Sequence, residues 1–356
     1  MGRQSTGMEG VGLGYHPLLH ETMVSGRFEF DFIEIPIDLY VGSARSPLLD
    51  PEGSRLGGLA AAKPCVWRGS ALSLGSVETP DDPSPDARII EQIRELLDKT
   101  GVKGTCEAIG FRRLADRDMG LGQALPYTQA AAQWTALRHA AAAKALGCPL
   151  VLEPSVSSVG APRAEWDAAA FLQNIADHAD CRFLLDVADL RRFAGEASIE
   201  AAEMVRRVPG ERIAAWVISS DGEEDWQLLS QLSQGFGARA IIVRRSTNLF
   251  PLDAVGSAAR RAKDLLARSG APAPVPLGKA VAPAPIDPKE LAALRAFQLD
   301  FINRCLDPEA EPPGFVGARK SEWATLATRA RSWQSWQARL EDTYKARQMR
   351  QFLARE

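Results

Sequence analysis

The sequence predicts an α/β fold, a (β/α)8 TIM barrel with a C-terminal helical extension. Three observations predict it. Eight short β-rich runs alternate with longer stretches of helical period, and eight is the number of units that closes a parallel barrel. No GxGxxG turn follows the first run, as a dinucleotide-binding open sheet would require. An Ala/Pro-rich segment then separates this rhythm from a last pair of helical stretches. An open doubly wound sheet is the alternative.

In order, the runs are GVGLGY (10–15), FDFIEIPI (30–37), PCVWRG (64–69), GTCEAIGF (104–111), PLVLEPS (149–155), RFLLDVADL (182–190), RIAAWVIS (212–219) and AIIVRRS (240–246). The GVGLG of the first is too short for a phosphate-binding fingerprint and precedes YHPLL. Seven runs sit in clear strand-to-helix units. The segment after the second, LLDPEGSRLGGLAAA, is a poor helix. The others are stronger: in PDARIIEQIRELLDKTG the residues Ile89, Ile90, Ile93, Leu96 and Leu97 form one stripe, and Gly101 can end it. EWDAAAFLQNIADHAD and PLDAVGSAARRAKDLLARSG behave alike.

The barrel is expected to span 1–270, followed by an extended linker over 271–286 and a helical extension over 287–356. Asp287 and Pro288 make a helix start. Leu291, Leu294, Phe297, Phe301, Ile302 and Cys305 follow at helical spacing. DPEAEPPGFVGARK (307–320) is too rich in Pro and Gly for a helix. A second helix from Ser321 places Trp323, Leu326, Ala330, Trp333, Leu340 and Tyr344 on one side, with Trp336 near it. Two helices bury little by themselves, so they pack on the barrel as core or on a partner.

Composition narrows the function classes. The 356 residues are 46% hydrophobic and 24% charged, with a net charge of -3. This is a globular balance, and it argues against a general nucleic-acid or membrane-surface binder. No apolar run approaches a membrane span, and no secretory signal is visible. The start MGRQST formally fits an N-myristoylation pattern that short sequences match by chance. Cys65, Cys106, Cys148, Cys181 and Cys305 are scattered without a CxxC pair. That suits buried thiols in a reducing compartment, and the chain is expected to be cytoplasmic.

In a parallel barrel the chemistry sits at the C-terminal strand ends. The polar residues there are Glu34, Asp38, Arg68, Glu107, Glu153, Asp186, Asp189, Asp221, Arg244 and Arg245. Carboxylates converging in this way point to a metal or to acid/base chemistry. Histidine is missing from all these positions. His139, His178 and His20 fall in expected outer helices as surface or helix-end residues, and only His16 lies near the rim.

The segments GVGLGYHPLLHE, FDFIEIPIDLY, ALSLGS, CEAIGF, LPYT, LVLEPS, FLLDVADL and LFPLD resemble, in this order, the DUF692 family of multinuclear non-heme iron-dependent oxidative enzymes. The resemblance covers about 10–268. It implies a TIM barrel holding two or three irons, and oxidative modification of a ribosomally made precursor peptide with the help of a partner protein. The ligands carry over only in part. Arg68 stands where the family has a histidine, and Ala108 replaces the histidine after Glu107. The family's ENP resembles Glu153-Pro154-Ser155, which loses the asparagine ligand. Asp186 is kept, the histidines near Asp221 are gone, and Arg244 replaces a ligating glutamate.

Two function classes follow. The first is a metal-free barrel, a pseudoenzyme binding a precursor peptide or a partner protein of the maturation complex. Its Arg68 and Arg244 supply the positive charge that Glu107, Glu153 and Asp186 would otherwise lack. These arginines form either a salt-bridged plug or, with Asp221, a site for an anionic substrate. If the plug is dry, Arg68→Ala costs about 3–5 kcal/mol. The second class is an active enzyme in which Glu107, Glu153 and Asp186 are catalytic. It would be an oxidase with a remodelled iron site or a metal-free lyase or isomerase, a sugar-phosphate isomerase-like barrel being one variant. No metal ligand set and no cofactor is assigned, iron being the cofactor of the second class only.

Overall fold

The computed structural model describes residues 8–16, 19–41, 54–102, 104–155, 164–208, 212–219, 222–237, 239–244, 252–269, 281, 283–317 and 319–353. Eight parallel strands close a barrel: β1 (Gly10–Gly14), β2 (Phe32–Pro36), β3 (Cys65–Gly69), β4 (Thr105–Ile109), β7 (Leu150–Pro154), β8 (Phe183–Asp186), β9 (Ile213–Ile218) and β10 (Ala240–Val243). β10 returns to pair with β1. Between β4 and β7 the chain inserts a two-stranded antiparallel hairpin, β5 (Phe111–Leu114) and β6 (Arg117–Gln123).

Strand period divides the core in two. Phe32, Val66, Cys106, Val151, Leu184, Val217 and Ile242 form one buried cluster, which fills the barrel interior. The alternate residues, such as Ile33, Trp67, Leu152, Phe183, Trp216 and Ile241, join the larger cluster beneath the helices. Gly12 makes room for this filling, because a Cβ there would lie 2.4 Å from the Phe32 ring.

The outer helices are α1 (His20–Val24), α2 (Ser54–Ala62), α3 (Ala87–Thr100), α4 (Gln129–Leu146), α5 (Ala168–His178), α6 (Val187–Ala197), α7 (Ala201–Arg206), α8 (Glu223–Phe236) and α9 (Leu252–Ser269). Their ends are capped by local chemistry. Asp86 accepts from the Arg88 N–H at the start of α3, and Gly101 ends it with φ 63°. The segment after β2 is helical after all: α2 forms despite Gly57 and Gly58, and its Leu59 is fully buried. His139 corrects the expectation of a surface histidine. It is buried on α4, and its Nε2 lies 2.8 Å from the Leu150 carbonyl, so it ties helix to sheet. The sixth run is shorter than its apolar pattern suggests. β8 stops at Asp186, whose carboxylate accepts from the Ala188 and Asp189 N–H groups and starts α6.

The extension comprises α10 (Pro288–Leu306) and α11 (Lys320–Leu353). Of the Ala/Pro segment, 271–280 and 282 lie outside the described residues. Val281 is described and is held by its backbone: its N–H donates to the Asp177 carbonyl, and its carbonyl faces His178 Nδ1 at 2.9 Å. α10 begins as its sequence dictates, with Asp287 accepting from the Lys289 N–H. Both helices pack on the hairpin. Phe111 of β5 meets Phe297 and Phe301 at 5.8 and 5.5 Å between centroids, and Trp323 stands edge-on to Phe301 at 5.3 Å. Among the described residues no helix is long and apolar enough to cross a membrane.

Candidate functional site: the arginine-bridged barrel mouth

Period-two alternation extends the interior filling upward to the strand ends. From Phe32 it leads to Glu34, from Val66 to Arg68, from Val151 to Glu153, from Leu184 to Asp186 and from Ile242 to Arg244. These side chains share the mouth. Arg244 lies at its centre. Its Nε and Nη2 donate to the two Glu34 oxygens at 2.6 Å each. Its Nη1 donates to Glu153 Oε1, and Nη2 reaches Glu153 Oε2 at 3.2 Å. From the other side Arg68 donates to Glu153 through Nε at 2.8 Å and Nη2 at 3.4 Å. Two guanidinium groups therefore hold two buried carboxylates.

The charges follow from this pairing. Burial alone would raise the Glu153 carboxyl, but Arg244 and Arg68 outweigh it and hold Glu153 at about 2. Burial likewise opposes the charge on Arg244, and Glu153 and Glu34 more than restore it. Asp186 has no guanidinium hydrogen-bond partner among the described residues. Burial raises its pKa, against the pull of Arg244 and a hydrogen bond from Ser219. Asp189, in the first turn of α6, is pushed up to about 7 by burial and by Asp186.

Glu107 stands apart from this network. It has the opposite parity to Cys106, which lies in the interior cluster. Its Oε1 accepts from the Leu72 and Ser73 N–H groups at 2.6 and 3.1 Å, bracing the turn after β3. Burial, then the nearby Asp38, pushes Glu107 up to about 8. The same turn is tied from several sides. Asp38 accepts from the Ser70 N–H at 3.1 Å. The Ser73 hydroxyl accepts from the Arg112 and Arg113 N–H groups. Ser73 itself has φ 51°, a left-handed conformation rare outside glycine.

The sequence places Glu34 at a strand end, and only its parity with Phe32 marks it as the partner of Arg244. Arg112 is the site residue that the sequence analysis does not reach. Arg112 on β5 is buried and grips Asp118 with Nε at 2.7 Å and Nη2 at 3.0 Å, while Nη1 donates to Asp38. Nothing in a polar-looking FRRL marks it. Asp221 and Arg245 lie outside the described residues.

The iron centre that the resemblance implies does not fit these side chains. Among the described residues no group of three or more His, Cys, Asp or Glu side chains is placed to hold a metal ion. The interior carboxylates Glu34 and Glu153 already accept from guanidinium groups. Cysteine chemistry is equally distant: the thiols are free, and burial pushes Cys65, Cys181 and Cys305 up to about 12 and Cys148 to about 11.

Comparison with known proteins covers the barrel segment of the chain. The family model described as "RiPP precursor modification enzyme MbnB/TglH/ChrH" matches residues 10–267. A UPF0276 protein of Shewanella sediminis (strain HAW-EB3) is 27% identical over 259 residues, covering 68% of this chain and 88% of that one. A UPF0276 protein of Pseudomonas aeruginosa (strain UCBPP-PA14) is 24% identical over 285 residues, covering 74% and 94%. The family match runs from the first barrel strand into α9 and leaves α10 and α11 outside it. By that barrel the protein belongs to the MbnB/TglH/ChrH family of RiPP precursor modification enzymes.

Proposed function

We propose that this chain is a metal-free member of its family, in which the mouth serves as a peptide- or partner-binding component in the maturation of a ribosomally made, modified peptide. One observation carries the reading. Arg244 lies between Glu34 and Glu153, and Arg68 completes the neutralisation, so guanidinium charge does what metal charge would do among converging carboxylates. Of the six residues named from the sequence, Arg68, Arg244 and Glu153 form the ion-paired cluster of the mouth. Asp186 is a helix cap facing it, Glu107 braces the neighbouring turn, and Asp221 lies outside the described residues.

The test is metal analysis of the full chain, as purified and after anaerobic incubation with ferrous iron, paired with calorimetric titration of candidate precursor peptides. Substoichiometric iron in both preparations, with saturable peptide binding, is the expected result. Near-unit iron per chain with a ferric absorption band overturns the reading.

A second reading rests on Asp189. A carboxyl titrating at about 7 beside the mouth suits general acid/base work without a metal. It requires turnover with a pH profile that moves when Asp189 is replaced by asparagine. Binding without turnover favours the first reading.

A further inference from the structure

We infer that the two arginines of the mouth have different tasks: Arg244 is wholly structural, whereas Arg68 presents an open guanidinium edge that takes a carboxylate of the bound peptide. A guanidinium offers two bidentate edges, one formed by Nε and Nη2 and one by Nη1 and Nη2. Arg244 uses both, the first on Glu34 and the second on Glu153. Arg68 uses only the first, on Glu153, and its Nη1 has no partner among the described residues.

Among the described residues the mouth carboxylates have other partners, and Asp189 beside them pairs with Arg192 at 3.6 Å. Each Glu153 oxygen already accepts from both arginines. Glu34 is taken by Arg244, Asp186 by the α6 amides, and Asp38 by Arg112 and the Ser70 N–H. Access is also unequal. The Arg68 side chain is 39% exposed against 12% for Arg244.

Charge selects the ligand. Arg68 and Arg244 balance Glu34 and Glu153, so the cluster is neutral before anything binds. The largest influence on Arg68 is the repulsion of Arg244, which Glu153 and Glu34 outweigh. One further anion beside Arg68 relieves that repulsion. A planar monoanion matches one free edge. A phosphate dianion would bring a second charge next to Glu153, where both described guanidinium groups are already engaged. The carboxylate can come from the peptide's C-terminus or from an acidic side chain.

The inference rests on the reading of the mouth as a peptide-binding surface, and its test does not involve metal. The full chain is labelled with 15N-arginine, and the Nε–H resonances are followed by NMR, that of Arg68 being assigned from Arg68→Lys. Four probes are titrated: N-acetyl-Ala-Ala, its C-terminal amide, N-acetyl-Asp amide and inorganic phosphate. The expected result is a saturable shift of the Arg68 resonance with one or both carboxylates, and an amide at least about tenfold weaker. A response to N-acetyl-Ala-Ala alone assigns the C-terminus as the source. A response to N-acetyl-Asp amide alone assigns the side chain, and a response to both assigns carboxylate in general. Arg68→Gln should abolish the shifts that the carboxylates cause elsewhere, with near-ultraviolet circular dichroism checking its fold. The inference is overturned if neither carboxylate moves Arg68, if amide or phosphate binds as well as the carboxylates, or if a folded Arg68→Gln binds unchanged. The wild-type titration decides by itself if that variant misfolds. Failure here with an iron-free protein removes the carboxylate site and leaves the metal-free reading standing.

Discussion

Arg244 and Arg68 look alike in the sequence and differ in the fold. Arg244→Met leaves Glu34 and Glu153 buried with one cation between them. It should cost about 3–5 kcal/mol in chemical denaturation, with most of the loss recovered by adding Glu34→Gln. Arg68→Ala should cost clearly less, because its side chain is partly exposed and Glu153 keeps Arg244. The site is not dry at Arg68, so the larger penalty expected from the sequence belongs to its neighbour. Glu153 and Glu107 should also give pH dependence of opposite sign. Glu153 is depressed to about 2, so its contribution is complete above the ordinary carboxylate value of 4.5 and is lost as pH falls toward 2. Glu107 is raised to about 8, so the fold is favoured below 4.5 and loses that advantage as pH rises through 8. Glu107→Gln keeps an oxygen for the Leu72 and Ser73 amides. It should match the wild type near pH 4 and exceed it at pH 9 by about 2–5 kcal/mol, read from urea unfolding at both pH values. The sequence showed the strand ends but not which residues face inward. Alternation from Phe32, Val66 and Cys106 separates Glu34 and Arg68 from Glu107, and reading strand ends without parity merged them.

Hairpin β5–β6 is the element the sequence concealed. Its two-residue turn uses Ala115 and Asp116 at φ 49° and 62°, where Asn-Gly would have announced it. The eight barrel strands were legible because each is a short apolar run, and α3 because its stripe and its end glycine agree. The hairpin instead owes its place to tertiary contacts. Asp118 pins Arg112, and α11 lays Trp333 over the Arg112 guanidinium at 5.1 Å. Gly120, at φ 70°, faces the same indole, and an added Cβ would lie 2.2 Å from it. Gly120→Ala should therefore destabilise by about 1–3 kcal/mol through overpacking and backbone strain. It should also speed proteolytic cleavage within α11. An unchanged cleavage pattern would show that Trp333 does not hold the helix down.

At the scale of the whole molecule, the extension is a clasp. Its aromatic residues meet Phe111 and one another, and Gln298 of α10 is fully buried. Deleting 287–356 should give a chain that aggregates or loses its near-ultraviolet dichroism, as size-exclusion chromatography and circular dichroism would report. A truncated barrel that stays monomeric and folded would return the extension to the role of a docking module. The helices themselves were legible from spacing and from the Asp287-Pro288 start, but their target was not, because that target is the concealed hairpin.

Gln298 has one more consequence. Its amide donates to the Gly75 carbonyl and accepts from the Val77 N–H, across 221 residues of chain. On the ribosome, the turn that follows β3 emerges long before the residue that completes it. At ~5–20 residues per second, those two backbone groups wait roughly 10–40 s for their partner. The turn after β3 is thus the last part of the barrel to be finished during synthesis, and a chain stalled before α10 carries every barrel strand without that turn completed.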